Sequence, residues 1–526
     1  MSTESLLKTA QQLLTAWTLE TRAPEWNRID IVLRPDDLPG AAAALAGARW
    51  GYLAAITGLD NGPESGVIEA LYHFCSGAAI VTLRISLPRQ QPRLPSVCQS
   101  IPSATLYERE LMEMFGVDIV DTPNRQRLFL PDDWQEGVYP LRKDYRPQPL
   151  PVEERHVIRP IPENSQPDRF TVPIGPQHPA LKEPGHFDFS VDGEVITGAS
   201  VRLGYVHRGI EKACEERSWV QCQYLIERIC GICSHSHAYA YCLGVERLAG
   251  VEAPPRAQAI RELVAGLERI HSHLLWVGVS AHEAGFDTLF MYSWRDRETV
   301  MDLLETFTGN RVNYSVNVLG GVKYDVTLDI ADKIRRGINF LEERTHHYLD
   351  VVTKDAAFLQ RTRGIGVITP AEVERLGLIG PTARASGVVR DIRVEAPYGS
   401  YRSFPVSSVR GSAGDLEAKF IVRINELFVT YKAIQTIMDN LPEGELTARF
   451  PRKIPAGETI SRVEAPRGEL FYFIKSNGSD KPERVRVRTP SINNFTSVVS
   501  LVVGHQLADV PLILAGIDPC FSCNDR

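Results

Sequence analysis

Two Cys-x-x-Cys pairs constrain this chain more than any other feature of its sequence. Cys230 and Cys233 stand in Arg-Ile-Cys-Gly-Ile-Cys, and Cys520 and Cys523 in Asp-Pro-Cys-Phe-Ser-Cys. Each pair presents two sulfurs about one turn apart, a spacing from which one metal can take both. A fold that uses both pairs must bring its far end back to the segment around residue 230. Soft thiolates suit zinc, iron–sulfur or nickel rather than magnesium or calcium. A zinc ribbon keeps its pairs close together, whereas these lie at opposite ends of the second part of the chain. A structural zinc closing so long a loop stays open as a reading. A thioredoxin-type dithiol needs one pair on a βαβ unit, a pattern not found here. Cys523 lies three residues before Arg526, where a chain frays unless it is buried, so burial of this segment is expected. Spacing thus leads to a four-thiolate metal centre of unassigned metal.

The other five cysteines, Cys75, Cys98, Cys214, Cys222 and Cys242, sit singly in strand or helix patterns and read as small buried hydrophobes. Nine cysteines, an odd number, in a chain without a secretory pattern at its start favour a reducing, cytoplasmic setting. The longest apolar stretch, 498–517, is broken by His505, Gln506, Asp509 and Pro511, so any membrane association is expected through partner subunits. A net charge of -7 gives no reason to expect nucleic acid as a partner.

The 526 residues exceed one ordinary core, so at least two domains are expected. Residues 1–145 read as an α/β domain. Leu6, Leu7, Leu13 and Leu14 mark an amphipathic first helix, 28–34 and 78–86 alternate as half-buried strands, and 36–48 is an alanine-rich helix. Prolines among charged residues make 146–169 a linker. In 170–526, a strand-and-turn region gives way to long helical patterns over 210–249, 256–284, 296–311, 327–352, 416–438 and 491–507. The fold class expected is α+β, an N-terminal α/β domain followed by a mainly helical one.

The motifs, in their order, resemble those of nickel–iron hydrogenase large subunits. Arg228-Ile-Cys230-Gly-Ile-Cys233-Ser-His235 opens the series and Asp518-Pro-Cys520-Phe-Ser-Cys523-Asn-Asp-Arg526 closes it. Between them, Glu464-Ala-Pro-Arg467-Gly468 resembles the family's arginine motif, and Thr489-Pro490-Ser491 the segment that holds a cyanide ligand of the iron. The first domain resembles the 30-kDa subunit of respiratory complex I, through Glu108-Arg-Glu110, Met114-Phe-Gly116 and Pro140-Leu-Arg-Lys-Asp144. Gly175-Pro-Gln-His178-Pro-Ala is similar to a motif of the 49-kDa quinone-site subunit. A fusion that keeps four cysteines resembles the group 4 hydrogenases, the hydrogenase-3 and hydrogenase-4 type of formate hydrogenlyase.

The resemblance implies a nickel–iron centre, Ni-Fe(CO)(CN)2, with Cys230 and Cys520 as terminal nickel ligands and Cys233 and Cys523 bridging nickel to iron. It implies reversible reduction of protons to H2, with Cys520 as proton acceptor and Glu183 as relay. Arg467 would lie over the open coordination site, paired with Asp518, and Ser491 beside Pro490 would donate to a cyanide. A third metal, magnesium or iron, is bound in many members by a glutamate, for which Glu227 is the candidate, and a C-terminal histidine. Arg526 stands in place of that histidine, which argues against the third metal and suggests that its guanidinium substitutes for the charge. No iron–sulfur motif remains in this chain. Electrons would come from an iron–sulfur small subunit, within an assembly of ferredoxin-like and membrane subunits, and a maturation endopeptidase would process the precursor after the arginine. His271 and His273 read as hydrogen-bonded core residues rather than ligands. Two other readings stand beside this one: a fused complex I-type quinone-site subunit without metal, and a zinc-stapled scaffold. The His178 loop faces quinone in complex I, and the sequence leaves its role open.

Overall fold

The computed structural model describes residues 2–147 and 169–526, and the expected linker falls outside the described residues except at its ends. In the first unit, helix α1 (Thr3–Leu14) is capped by the Ser2 hydroxyl and buries Leu7, Ala10 and Leu14 along one stripe. Strands β1 (Glu20–Glu25) and β2 (Arg28–Leu33) follow, then α2 (Leu38–Gly47), β3 (Tyr52–Asp60), β4 (Val67–Ser76), β5 (Ala79–Pro88) and α3 (Ala104–Phe115). The sheet order is β1-β2-β5-β4-β3, with β2 parallel to β5 and every other pairing antiparallel. The expected strands at 28–34 and 78–86 are β2 and β5. Strands β3 and β4 escape the alternation test because β3 is buried throughout and β4 nearly so.

The second unit opens with a three-stranded sheet, β6 (Arg169–Ile174), β7 (His186–Asp192) and β8 (Val195–Arg202), in which β7 is central. The continuous helical pattern expected over 210–249 is broken into α4 (Ile210–Glu215), α5 (Trp219–Glu227) and α6 (Ser234–Ala249). Ser218 and Gln221 form a capping box that starts α5. The Cys230-Gly-Ile-Cys233 turn then separates α5 from α6. Four long helices form the bundle: α7 (Pro255–Glu283), α8 (Asp287–Thr308), α9 (Leu328–Lys354) and α10 (Leu416–Asp439). Pro255 pre-sets the first turn of α7, and Thr327 and Asp415 cap α9 and α10. An antiparallel sheet follows, β9 (Gly457–Ala465), β10 (Gly468–Ser476) and β11 (Arg484–Arg488). The pattern over 491–507 resolves into two short helices, α11 (Pro490–Phe495) and α12 (Val498–Val502), and α13 (Val510–Ile517) and α14 (Phe521–Asp525) complete the chain.

The β9–β11 sheet lies against the first unit. Tyr52 donates its hydroxyl to Glu469 at 2.8 Å, Arg84 donates to Glu458 at 2.8 Å, and Arg486 donates to the Ile56 carbonyl at 3.1 Å. One apolar core runs from Leu7 and Tyr72 in the first unit to Phe495, Ile513 and Phe521 near the end of the chain. A second fills the helical bundle around Trp276 and Phe420, and a third surrounds the four paired cysteines. Among the described residues, no helix is long and apolar enough to cross a membrane.

Candidate metal centre

Cys230 and Cys233 flank a turn that ends where α6 begins, Cys233 being the residue that caps that helix. Cys520 caps α14 and Cys523 lies within it. The last segment returns to α6 because Phe521 is wedged among Phe187 and Phe495, with ring centroids 6.2 and 5.3 Å away. Gly185 leaves the room for this ring, since a Cβ there would stand 2.0 Å from it. The four sulfurs therefore meet. Cys230 Sγ lies 3.4 Å from Cys520 Sγ, and Cys233 Sγ lies 3.2 Å from Cys523 Sγ. The sulfurs of Cys230, Cys520 and Cys523 all fall within 4.8 Å of one another, and all four residues are buried.

Without a cation, hydrogen bonds from Cys233, Cys520 and Cys523 favour a thiolate at Cys230. Those same bonds, with burial, push the Cys233 and Cys520 thiols up, and burial foremost pushes up Cys523. Four buried sulfurs aimed at one another leave too little compensation for several thiolates unless a soft metal supplies positive charge. The donor set fits such a metal.

Arg467 occupies the tight turn between β9 and β10. Its Nη2 donates to Asp518 Oδ1 at 2.8 Å and its Nε to the Asp518 carbonyl at 3.0 Å. The turn is pinned by two glycines in contact: a Cβ at Gly380 would stand 2.2 Å from the Arg467 carbonyl oxygen, and one at Gly468 2.8 Å from Gly380 Cα. Burial disfavours the Arg467 charge, but Asp518 and the neighbouring cysteines more than offset it. Asp518 holds the left-handed position that ends α13, and Arg423, stacked 4.0 Å from the Trp276 ring centre, lies 3.8 Å from its second oxygen. Ser491, next to Pro490 in α11, accepts the Cys520 N–H at 3.1 Å. Glu183 accepts the Ser522 N–H at 3.0 Å and the Ser522 hydroxyl, and it borders an open cleft of about 420 Å³ shared with Gln177, His178 and Lys182.

Glu227 is buried, where it accepts from the Ser315 N–H at 2.6 Å and from Arg228 at 3.2 Å. The carboxylates that meet the Arg526 guanidinium are Glu211, at 2.6 Å from its Nε, and Glu110. His271 and His273 are core residues as expected, bonded to Arg297 at 2.7 Å and to Glu426 at 2.8 Å. The five remaining cysteines are buried, although Cys214 and Cys222 are neighbours, the Cys222 thiol donating to the Cys214 carbonyl at 3.2 Å.

Two residues beside the sulfurs escaped the sequence reading. His237 points Nε2 at Cys523 Sγ, 3.5 Å away, while its Nδ1 meets the Tyr472 hydroxyl at 2.6 Å. Burial holds its pKa down at about 4, so the ring is neutral. The signal available was its position one helical turn after Cys233. Glu268, on α7, accepts the N–H groups of His235 and Ser236 at 2.7 and 3.0 Å and so caps α6 just beyond Cys233. Burial pushes its carboxyl up to about 8 in spite of these bonds.

Comparison with known proteins places the whole chain. Residues 31–150 match the model of the respiratory-chain NADH dehydrogenase 30 Kd subunit, 208–278 that of nickel-dependent hydrogenase, and 283–454 and 448–526 that of the NADH dehydrogenase 49 Kd subunit. Formate hydrogenlyase subunit 5 of Escherichia coli (strain K12) is 35% identical over 95% of this chain and 89% of its own length. The chain belongs to the formate hydrogenlyase-type family of hydrogenase large subunits fused to a complex I-like first domain. The carbon monoxide-induced hydrogenase of Rhodospirillum rubrum is 38% identical over 68% of this chain and 99% of its own. The family extends to complex I: the fused C/D protein of the NADH-quinone oxidoreductase of Phocaeicola vulgatus is 32% identical over 90% of this chain and 94% of its own. A solved structure, a chain of the membrane-bound sulfane sulfur reductase, an archaeal respiratory membrane complex, has a TM-score of 0.66 at 32% identity, the match covering 68% of this chain and 99% of its own. The expected α+β fold, with its 30-kDa-like first unit and 49-kDa-like helical unit, is the one observed.

Proposed function

We propose that this chain is the catalytic large subunit of a membrane-associated, energy-converting nickel–iron hydrogenase that reduces protons to H2 and runs in reverse. The observation that carries the reading is the meeting of Cys230, Cys233, Cys520 and Cys523 in one buried cluster under Arg467 and Asp518. Cys230, Cys233, Cys520 and Cys523 would hold the nickel–iron centre through their thiolates. When bound, the nickel–iron centre supplies the redox chemistry that joins two electrons and two protons. The protein's own groups handle the protons. Cys520 takes the proton at Sγ, and Glu183, fixed by Ser522 two residues further on, passes it to the cleft that His178 borders. Arg467, held to Asp518 through two donors, keeps a fixed positive charge beside the thiolates, where charge changes during turnover are stabilised without rearrangement. Ser491 fixes the Cys520 backbone and has its hydroxyl hydrogen free for a cyanide ligand.

Residues 1–145 form the complex I-like docking unit, 146–169 the linker and 170–526 the catalytic unit. Electrons arrive through a separate iron–sulfur small subunit, and membrane subunits anchor the assembly to the cytoplasmic face. The relationship to the fused C/D proteins of NADH-quinone oxidoreductase, together with the His178 loop, favours a second reading as a quinone-site subunit. That reading leaves the four-cysteine cluster without a task.

The purified complex is expected to contain about one nickel per chain and to evolve H2 from a reduced viologen dye. Cys230→Ser should abolish both. A complex that carries zinc alone, evolves no H2 and reduces quinone would sink the reading.

A further inference from the structure

The first unit reaches the metal-site segment itself. Arg526 follows the Cys520–Cys523 motif, and its guanidinium is held on three sides. Glu110, from α3 of the first unit, accepts from Nη2; Glu211, from α4, accepts from Nε at 2.6 Å; Nη1 closes onto the Asn524 carbonyl at 2.6 Å. The flat face lies 5.3 Å from the ring centre of Phe129, again from the first unit. Phe129 is itself fixed, because the Glu113 carboxylate on α3 accepts the N–H groups of Leu128, Phe129 and Leu130 at 3.0, 2.9 and 3.3 Å.

The same two carboxylates face the arginine-rich strand β11. Arg486 pairs bidentately with Glu110, and Arg484 with Glu211 at 2.7 Å. Three guanidinium groups thus share two carboxylates, all of them buried. A buried charge that loses its partner is strongly destabilised, so the cluster resists any displacement of Arg526. The rest of the segment is tied down to match. Asp525 accepts the N–H groups of Gly204 and Val206 at 2.8 and 3.1 Å, and Arg208 donates to the Ser522 carbonyl at 2.8 Å.

We infer that Glu110 is a positioning residue of the metal centre: through Arg526, the first unit clamps α14 and so fixes where Cys520 and Cys523 place their sulfurs. The complex I-like unit thereby completes the metal site, in addition to any docking role. This inference rests on the metal-centre reading above.

The test compares the full complex carrying the wild-type chain with Glu110→Gln, Glu110→Asp, Arg526→Gln and the Glu110→Gln/Arg526→Gln pair. Glu110→Gln should shift the cyanide stretching bands and speed nickel loss to a chelator about tenfold or more, with Glu110→Asp partly restoring both. The double variant should be less than additive in band shift and nickel loss, because both changes break the Glu110–Arg526 contact. Amide hydrogen exchange over residues 518–526, which needs no metal, should rise in Glu110→Gln. Wild-type bands, nickel retention and exchange in Glu110→Gln would overturn the inference, as would additive effects in the double variant. Absence of cyanide bands and nickel from the wild type would instead overturn the metal-centre reading, and the exchange measurement would still decide whether the clamp exists.

Discussion

In the proposed reaction, a thiol cluster and a carboxylate divide the chemistry at the residue scale. Burial makes each free thiolate costly, so the sulfurs of Cys230, Cys233, Cys520 and Cys523 gain most by sharing a soft cation. Glu183 differs because it borders an open cleft, where it can exchange protons with water. Glu183→Gln keeps its shape and its bonds to Ser522 but cannot carry a proton. H2 evolution should fall by roughly 10²–10⁴-fold while nickel content and infrared bands stay at wild-type values, since only proton transfer is removed. Loss of nickel in this variant would assign Glu183 to site assembly instead. The meeting of the two cysteine pairs was legible because each motif is local, whereas the roles given to Arg467 and Glu183 come from the family resemblance alone. Glu211 and Glu110 were not read as partners of Arg526, because only the tertiary fold brings them together.

At the scale of elements, the Arg467 turn depends on the contact between Gly380 and Gly468. Both have positive φ, and neither has room for a Cβ. Gly380→Ala should displace the turn that carries Arg467. Activity should drop well below wild type with nickel retained, and the melting temperature should fall by several degrees, in keeping with a strain of about 1–3 kcal/mol. Unchanged activity would show that the guanidinium does not need this backbone fit. The long helix α9 was readable from one buried stripe of helical period, whereas α7 and α10, buried on nearly every side, were readable by length, and α8 begins at Asp287 rather than at 296. The break of 210–249 into three helices was not, because the cysteine turn carries apolar residues that continue a helical pattern. Strands β3 and β4 were invisible for the opposite reason, as burial on both faces erases alternation. In β11 the alternating Arg-Val-Arg-Val-Arg reads as one polar face, yet both faces are buried and the arginines find carboxylates.

Over the whole molecule, ionic pairs join the two units as much as apolar contact does. Glu469 lies at the centre of this junction, accepting from Tyr52, Arg462 and Arg488. Burial alone would raise its pKa, but Arg462 and Arg488 more than offset that and bring it from the ordinary 4.5 to about 2. Its contribution to stability is therefore present above about pH 4.5 and is lost as the pH falls through about 2. Glu469→Gln should destabilise by about 3–5 kcal/mol near neutral pH, since it leaves two buried guanidinium groups short of a partner. The gap between its melting temperature and that of the wild type should narrow between about pH 5 and pH 2. A gap that is constant with pH would show that Glu469 is not ionised in the fold. The α/β character of the first part and the helical character of the second were legible from periodicity, whereas their shared core and ionic junction were not, since each depends on residues hundreds of positions apart. The central claim is that the four cysteines hold a nickel–iron centre. Infrared spectroscopy of the matured complex, with nickel and iron quantified on the same sample, tests it most directly. A nickel–iron centre predicts carbonyl and cyanide stretching bands with about one nickel per chain, bands that neither a zinc site nor a quinone site produces. A matured sample that contains only zinc, or no metal, and shows no such bands would contradict it.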